Sequence, residues 1–138
     1  MNVVNQASLY NPLTLAYLGD AVLDLYIRNY IVREKNRKPN ELHRYATFFV
    51  SAKSQSQTFD TLVEDNFFTT EEMDILMRGR NAKSHTKAKN TDVVTYKKST
   101  GLEAVIGYLH LNEDKERLDE LLNEIISLCE KRGKDENN

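Results

Sequence analysis

The sequence predicts an all-α fold. Its 138 residues contain only five glycines and two prolines to break helices. Apolar residues recur at helical spacing through most of the chain, and neither strand-type alternation nor a hairpin turn interrupts them. The length suits a single domain, residues 1–138, large enough to bury a sizeable core.

Asn11-Pro12 opens the first helix. Asn is a favoured N-cap, and proline's fixed φ suits the first helical position, where the missing N–H costs nothing. The helix runs from Leu13 to about Glu34, with Leu15, Leu18, Val22, Leu25, Tyr26 and Tyr30 spreading apolar surface over most of its circumference. A helix of that kind is buried on several sides, and in a chain this short a second subunit is the natural cover. Polar residues Asn36 to Lys38 break the pattern. Pro39 starts a second helix reaching about Phe49, and a third spans about Ala52 to Glu64. Thr69 and Glu72 have capping-box spacing and start a fourth helix, for which Gly79 reads as the C-terminus. Arg80 to Asn90 is poor in apolar residues and reads as loop. Periodicity resumes near Asp92 and passes through Tyr96, Leu102, Val105, Ile106 and Leu109. A last helix, about Asp114 to Lys131, repeats Leu118, Leu121, Leu122, Ile125, Ile126 and Cys129 on one face, and 133–138 reads as a frayed tail.

Composition excludes several function classes. No apolar run approaches the roughly 20 residues of a membrane-spanning helix, and Met1 to Gln6 lacks the pattern of a secretory signal. A cytoplasmic protein without a membrane role is expected. The single cysteine, Cys129, permits neither an internal disulfide nor a cysteine-based metal cluster. His43, His85 and His110 are scattered, with no His-x-x-x-His, and there is no glycine-rich phosphate loop. The net charge of −2 conceals an asymmetry. Arg78, Arg80, Lys83, Lys87, Lys89, Lys97 and Lys98 face only Asp92 in their stretch, whereas Glu113 to Glu136 is predominantly acidic. A basic segment of this kind either neutralises nucleic-acid phosphates or is a solvated loop that keeps the protein soluble.

Two acids stand out because their neighbours are apolar. Asp20 sits in Leu18-Gly19-Asp20-Ala21-Val22, and Glu103 in Leu102-Glu103-Ala104-Val105-Ile106-Gly107. A carboxylate removed from water is costly unless paired or bound to a cation. Each acid is therefore either half of a structural ion pair or a ligand. Asp24, one turn after Asp20, has Arg28 as an i, i+4 partner. The small residues Ala104 and Gly107 allow another helix to approach closely, so Asp20 and Glu103 converge if their helices cross. Converging carboxylates suit magnesium, which takes one or two of them and keeps several waters. Beside a phosphate-binding segment, they form a site for metal-assisted phosphodiester hydrolysis.

Leu15-Ala16-Tyr17-Leu18-Gly19-Asp20-Ala21-Val22-Leu23-Asp24 resembles the signature helix of the ribonuclease III catalytic domain, and Leu102 to Gly107 resembles its second acidic motif. Lys38-Pro39-Asn40-Glu41-Leu42-His43, Val50-Ser51-Ala52-Lys53-Ser54-Gln55, Arg78-Gly79-Arg80-Asn81-Ala82-Lys83-Ser84 and Asn90-Thr91-Asp92-Val93 resemble the Mini-ribonuclease III branch. The likeness covers nearly the whole chain. It implies an all-helical catalytic domain that dimerises through its signature helices and lacks the double-stranded-RNA-binding domain of the parent family. It implies an endoribonuclease using magnesium, with manganese able to substitute, and leaving 5′-phosphate and 3′-hydroxyl ends. Its substrate would be double-stranded RNA, the paired end stem of precursor 23S ribosomal RNA, with a large-subunit ribosomal protein able to present it. Asp20 and Glu103 would be the catalytic metal ligands. Arg78, Arg80, Asn81, Lys83, Lys87, Lys89 and Lys53 would grip the RNA backbone, with Thr100 and Asp24 in support. The sequence departs from the parent family at Ala16 and Thr100, where that family carries carboxylates. These two departures imply a metal site richer in water, and also favour the rival reading of a catalytically silent RNA-binding protein for ribosome assembly on the same fold.

Overall fold

The computed structural model describes residues 7–83 and 92–137, and among them every regular element is a helix. After a short 3₁₀ turn at Ala7–Leu9 come α1 (Pro12–Glu34), α2 (Pro39–Val50), α3 (Ala52–Glu64), α4 (Thr70–Asn81), α5 (Val93–Leu111) and α6 (Lys115–Asn137). The caps expected from sequence are made. Asn11 accepts from the Leu13 amide at 2.8 Å. Thr69 and Glu72 exchange both bonds of a capping box, each at 3.1 Å. A cap that the sequence reading did not single out comes from Asp92, which accepts from the Thr95 amide at 2.8 Å at the start of α5.

Helix α5 is the axis of the domain. It packs against α1 most extensively, then against α4 and α3, with α6 along its side. From Ser99 to Leu109 every residue except Glu103 is buried. This explains why the α5 sequence is apolar all round: neighbours surround it. Helix α1 is apolar all round for a different reason. It buries Leu15, Ala16, Gly19, Leu23, Ile27 and Ile31 against the domain. Tyr17, Leu25 and Val32 stay 84%, 71% and 56% exposed, forming an uncovered stripe at helical spacing on its outer side.

Two expected boundaries move. Gly79 does not end α4, which continues to Asn81. A Cβ at Gly79 would lie 2.9 Å from the Ala104 Cβ and 3.0 Å from the Gly101 Cα, so its lack of a side chain serves the α4–α5 crossing. The chain after Gly133 does not fray at once, because α6 runs to Asn137. A Cβ on Gly133 would meet the Phe48 ring. Helices α3 and α5 end instead on left-handed residues without glycine, Asn66 and Glu113, each with φ 55°. The following amides, of Phe67 and Asp114, close back on the carbonyls of Leu62 and Leu109 at 3.0 Å.

The distance between α1 and α5 is set by two glycines in direct contact. A Cβ on Gly19 would overlap the Glu103 carbonyl oxygen, and one on Gly107 would overlap the Leu15 carbonyl oxygen. Both obstacles are helical backbone and cannot rotate away. A second device fixes α6. The Arg117 guanidinium bonds both oxygens of the buried Glu72 at 2.9 Å and the Phe67 carbonyl at 2.6 Å, and stacks over the Phe67 ring.

Gly107→Ala should therefore lower stability by about 3 kcal/mol or more, the size expected when a core must be forced apart. Glu113→Gly should instead raise it by about 0.5–1 kcal/mol by removing a strained side-chain-bearing left-handed residue. Denaturant unfolding of both variants checks the pair.

Candidate active site

Asp20 directly follows Gly19 on α1, and Glu103 lies at the same crossing on α5. The glycine contact draws the two helices together there, so the acids share one cavity. It has a volume of about 420 Å³, and its wall includes Ala16, Asp20, Gln55, Tyr96, Thr100 and Glu103. The two carboxyls are close enough for Asp20 to act on Glu103 both as hydrogen-bond partner and as like charge.

The sequence suggested that Asp20 itself is taken out of water. In the fold it is exposed, and Glu103 is the half-buried acid. Burial, followed by the hydrogen bond and charge of Asp20, pushes the Glu103 carboxyl up to about 9, while an N–H of Gln55 pulls the other way. Without a cation, Glu103 thus holds its proton at neutral pH. A cation at this spot would favour the ionised form and release that proton.

The donors fit magnesium. Asp20 and Glu103 offer oxygen only, and no cluster of three or more histidine, cysteine or acidic side chains able to hold a metal occurs among the described residues. Two carboxylates with the remaining positions left to water is a normal magnesium arrangement. Thr100 adds a third oxygen. Its hydroxyl donates to the Tyr96 carbonyl at 3.1 Å, which leaves its lone pairs to the cavity wall. Ser99 donates to the same carbonyl at 2.7 Å. Ala16 occupies the wall one turn before Asp20 and supplies no ligand.

The other residues singled out from sequence fall in different places. Asp24 pairs with Arg28 at 2.9 Å, its i, i+4 partner. Arg78 turns inward, donating to the carbonyls of Ser8 at 2.6 Å and Tyr10 at 3.3 Å, so these nitrogens tie the first turn to α4. Arg80 donates to the Asn81 Oδ1 at 3.0 Å at the end of α4. Asn81, Lys83 and, in the first turn of α3, Lys53 are exposed. Lys87 and Lys89 lie outside the described residues, as does most of the expected loop. Lys98 bonds Asp60 at 2.7 Å. Sequence reasoning gave no role to Gln55, which is 3% exposed and touches Glu103. The available signal was a polar residue on the face of α3 that continues through Phe59 and Leu62.

Residues 13–114 match the ribonuclease III domain family, a span holding both acids. The chain is 62% identical over 128 residues to a Mini-ribonuclease 3 of Staphylococcus aureus, covering 93% of this chain and 96% of that one. It is 53% identical to a Mini-ribonuclease 3 of Enterococcus faecalis, with 82% and 86% covered. A crystal structure of a Fusobacterium nucleatum protein superposes with a TM-score of 0.75 at 32% identity, covering 86% of this chain and 93% of that one.

The raised Glu103 carboxyl has a stability consequence. Its folded value lies above the unfolded one, so its contribution is complete at pH below the unfolded value and declines as pH rises towards about 9. Glu103→Gln imitates the protonated acid. Without metal it should be more stable than wild type at pH 8 by at least about 1 kcal/mol, the equivalent of one pKa unit, and nearly equal to it at pH 4. Thermal melting with a chelator present reads this directly; a difference independent of pH would contradict it.

Proposed function

Because the chain belongs to the ribonuclease III domain family, and within it to the Mini-ribonuclease 3 group, we infer that it is an endoribonuclease acting on double-stranded RNA through the cavity between α1 and α5. The observation that carries this reading is the convergence of Asp20 and Glu103, otherwise isolated acids, at a crossing where two helices touch backbone to backbone. The wider reading includes 23S ribosomal RNA precursor as substrate, presentation by a large-subunit ribosomal protein, and work in the cytoplasm. It follows from the likeness to the Mini-ribonuclease III branch, and is compatible with the lack, among the described residues, of any helix long and apolar enough to cross a membrane.

Asp20 and Glu103 are the residues that would hold magnesium, or manganese in its place, with Thr100 supplying a neutral oxygen. When bound, the ion supplies Lewis-acid polarisation of the phosphodiester and a water acidic enough to attack at neutral pH. Glu103 gives up its proton on charging the site and becomes a carboxylate in a half-buried position, where its field is poorly screened. Asp20, at the exposed rim, brings the second negative charge. Cleavage leaves 5′-phosphate and 3′-hydroxyl ends. Ala16 in place of a carboxylate makes the site sparse in charge and predicts weak metal affinity.

The grip on RNA falls to Lys53, Arg80, Asn81 and Lys83, together with Lys87 and Lys89 beyond the described residues. Arg78 shapes the base of that segment through Ser8 and Tyr10, and Asp24 shapes α1 through Arg28. A-form RNA offers shape, phosphates and 2′-hydroxyls rather than readable base edges, which suits lysine and arginine side chains. The stripe of Tyr17, Leu25 and Val32 on α1 supports a homodimer closed on a second copy of that helix, which sets two cavities against opposite strands of one duplex.

Wild type should cut duplex RNA with magnesium, and Asp20→Asn and Glu103→Gln should each slow cleavage by at least about 100-fold. Calcium should support binding without cutting. Wild-type-like cleavage by both variants would refute the site, and binding without cleavage in magnesium would establish the silent scaffold. Leu25→Asp should yield monomers in sedimentation. Neutralising Lys53, Arg80 and Lys83 should reduce the log–log salt slope of binding by roughly 0.9 for each phosphate no longer neutralised.

A further inference from the structure

Gln55 is buried in the first turn of α3, in the wall it shares with Asp20, Thr100 and Glu103. Its Nε2 donates to the Val50 carbonyl at 2.9 Å and to Glu103 Oε2 at 3.4 Å. The Val50 carbonyl can only accept, so it fixes which way the amide faces: a reversed amide would set oxygen against oxygen. Val50 is the last residue of α2, so its carbonyl has no partner within the helix. One side-chain amide thus ties the end of α2 to the acid on α5.

The other end of that amide has no partner. Gln55 Oε1 is buried and makes no hydrogen bond among the described residues. Burying an amide oxygen without a partner costs stability. An apolar residue at this position, on a face that continues with Phe59 and Leu62, would avoid that cost. Packing alone therefore does not account for a glutamine here, whereas polar contact with Glu103 does.

We propose that Gln55 is the positioning residue of Glu103. Its N–H holds the Oε2 atom and leaves the second carboxylate oxygen for the cation. The role rests on the assignment of Asp20 and Glu103 as cation ligands. Partners of this kind orient a ligand before the metal arrives, and their loss usually weakens metal binding 10- to 100-fold.

The test is manganese binding to the full-length protein without RNA, read by electron paramagnetic resonance, together with metal-free melting. Gln55→Met keeps the length of the side chain and removes both polar atoms; Gln55→Leu serves if the first misfolds. Both should melt no lower than wild type without metal, yet bind manganese at least about 10-fold more weakly. Unchanged manganese affinity would overturn the proposal. So would a loss of affinity accompanied by a matching fall in metal-free melting temperature, which would make Gln55 a scaffold residue. If Asp20→Asn and Glu103→Gln bind manganese as wild type does, the ligand assignment itself fails, a result separable from failure at Gln55 alone.

Discussion

The contact between Gly19 on α1 and Gly107 on α5 decides where the chemistry of this protein can be. Helices usually pack 8–10 Å apart because side chains fill the space between them. Here each glycine rests on the carbonyl side of the opposite helix, at Glu103 and at Leu15, and no side chain fits between. Asp20 follows one glycine in sequence, and Glu103 forms the surface on which that glycine rests. The helix crossing and the pairing of the acids are therefore one structural fact. Gly79 and Gly101 repeat the device between α4 and α5, and α5 is consequently enclosed on nearly every side.

Enclosure explains the electrostatics. Within the buried stretch of α5, Glu103 is the acid, and it lines the cavity together with Ser99 and Thr100. Partial burial holds its proton, and the neighbouring acid reinforces this. The arrangement is unfavourable for two charged carboxylates alone and favourable once a cation supplies the counter-charge. Because Thr100 and Ala16 add no charge, the balance between a proton and a bound cation would fall mainly on Glu103 and Asp20.

Much of the fold was legible in the sequence because its signals are local. Asn11-Pro12 and Thr69 with Glu72 act on amides within three residues of themselves, and both caps are made as the sequence implies. Gly79 was misleading because a glycine that ends a helix and one that admits a neighbouring helix look alike until the neighbour is known. The apolar circumference of α1 told of burial on several sides but not of which side the chain itself covers: α1 keeps Tyr17 and Leu25 outside. In the site, composition and spacing singled out Asp20 and Glu103 but not which would lose water. That depends on the tertiary position of Glu103 beside Ser99, Thr100 and Gln55. Gln55 passed unnoticed because its partners, Val50 and Glu103, come from other helices. Arg78 counted towards a basic segment, yet its guanidinium is engaged by carbonyls of Ser8 and Tyr10.

If one half-buried acid exchanges its proton for a cation at the α1–α5 crossing, that proton can be counted. Isothermal titration of magnesium or manganese into the protein near pH 7.5, in buffers of different ionisation enthalpy, measures the protons released. Wild type should release close to one proton per ion bound, because Glu103 starts protonated, and any residual binding by Glu103→Gln should release none. Binding to wild type with no proton released would show that the exchange does not occur.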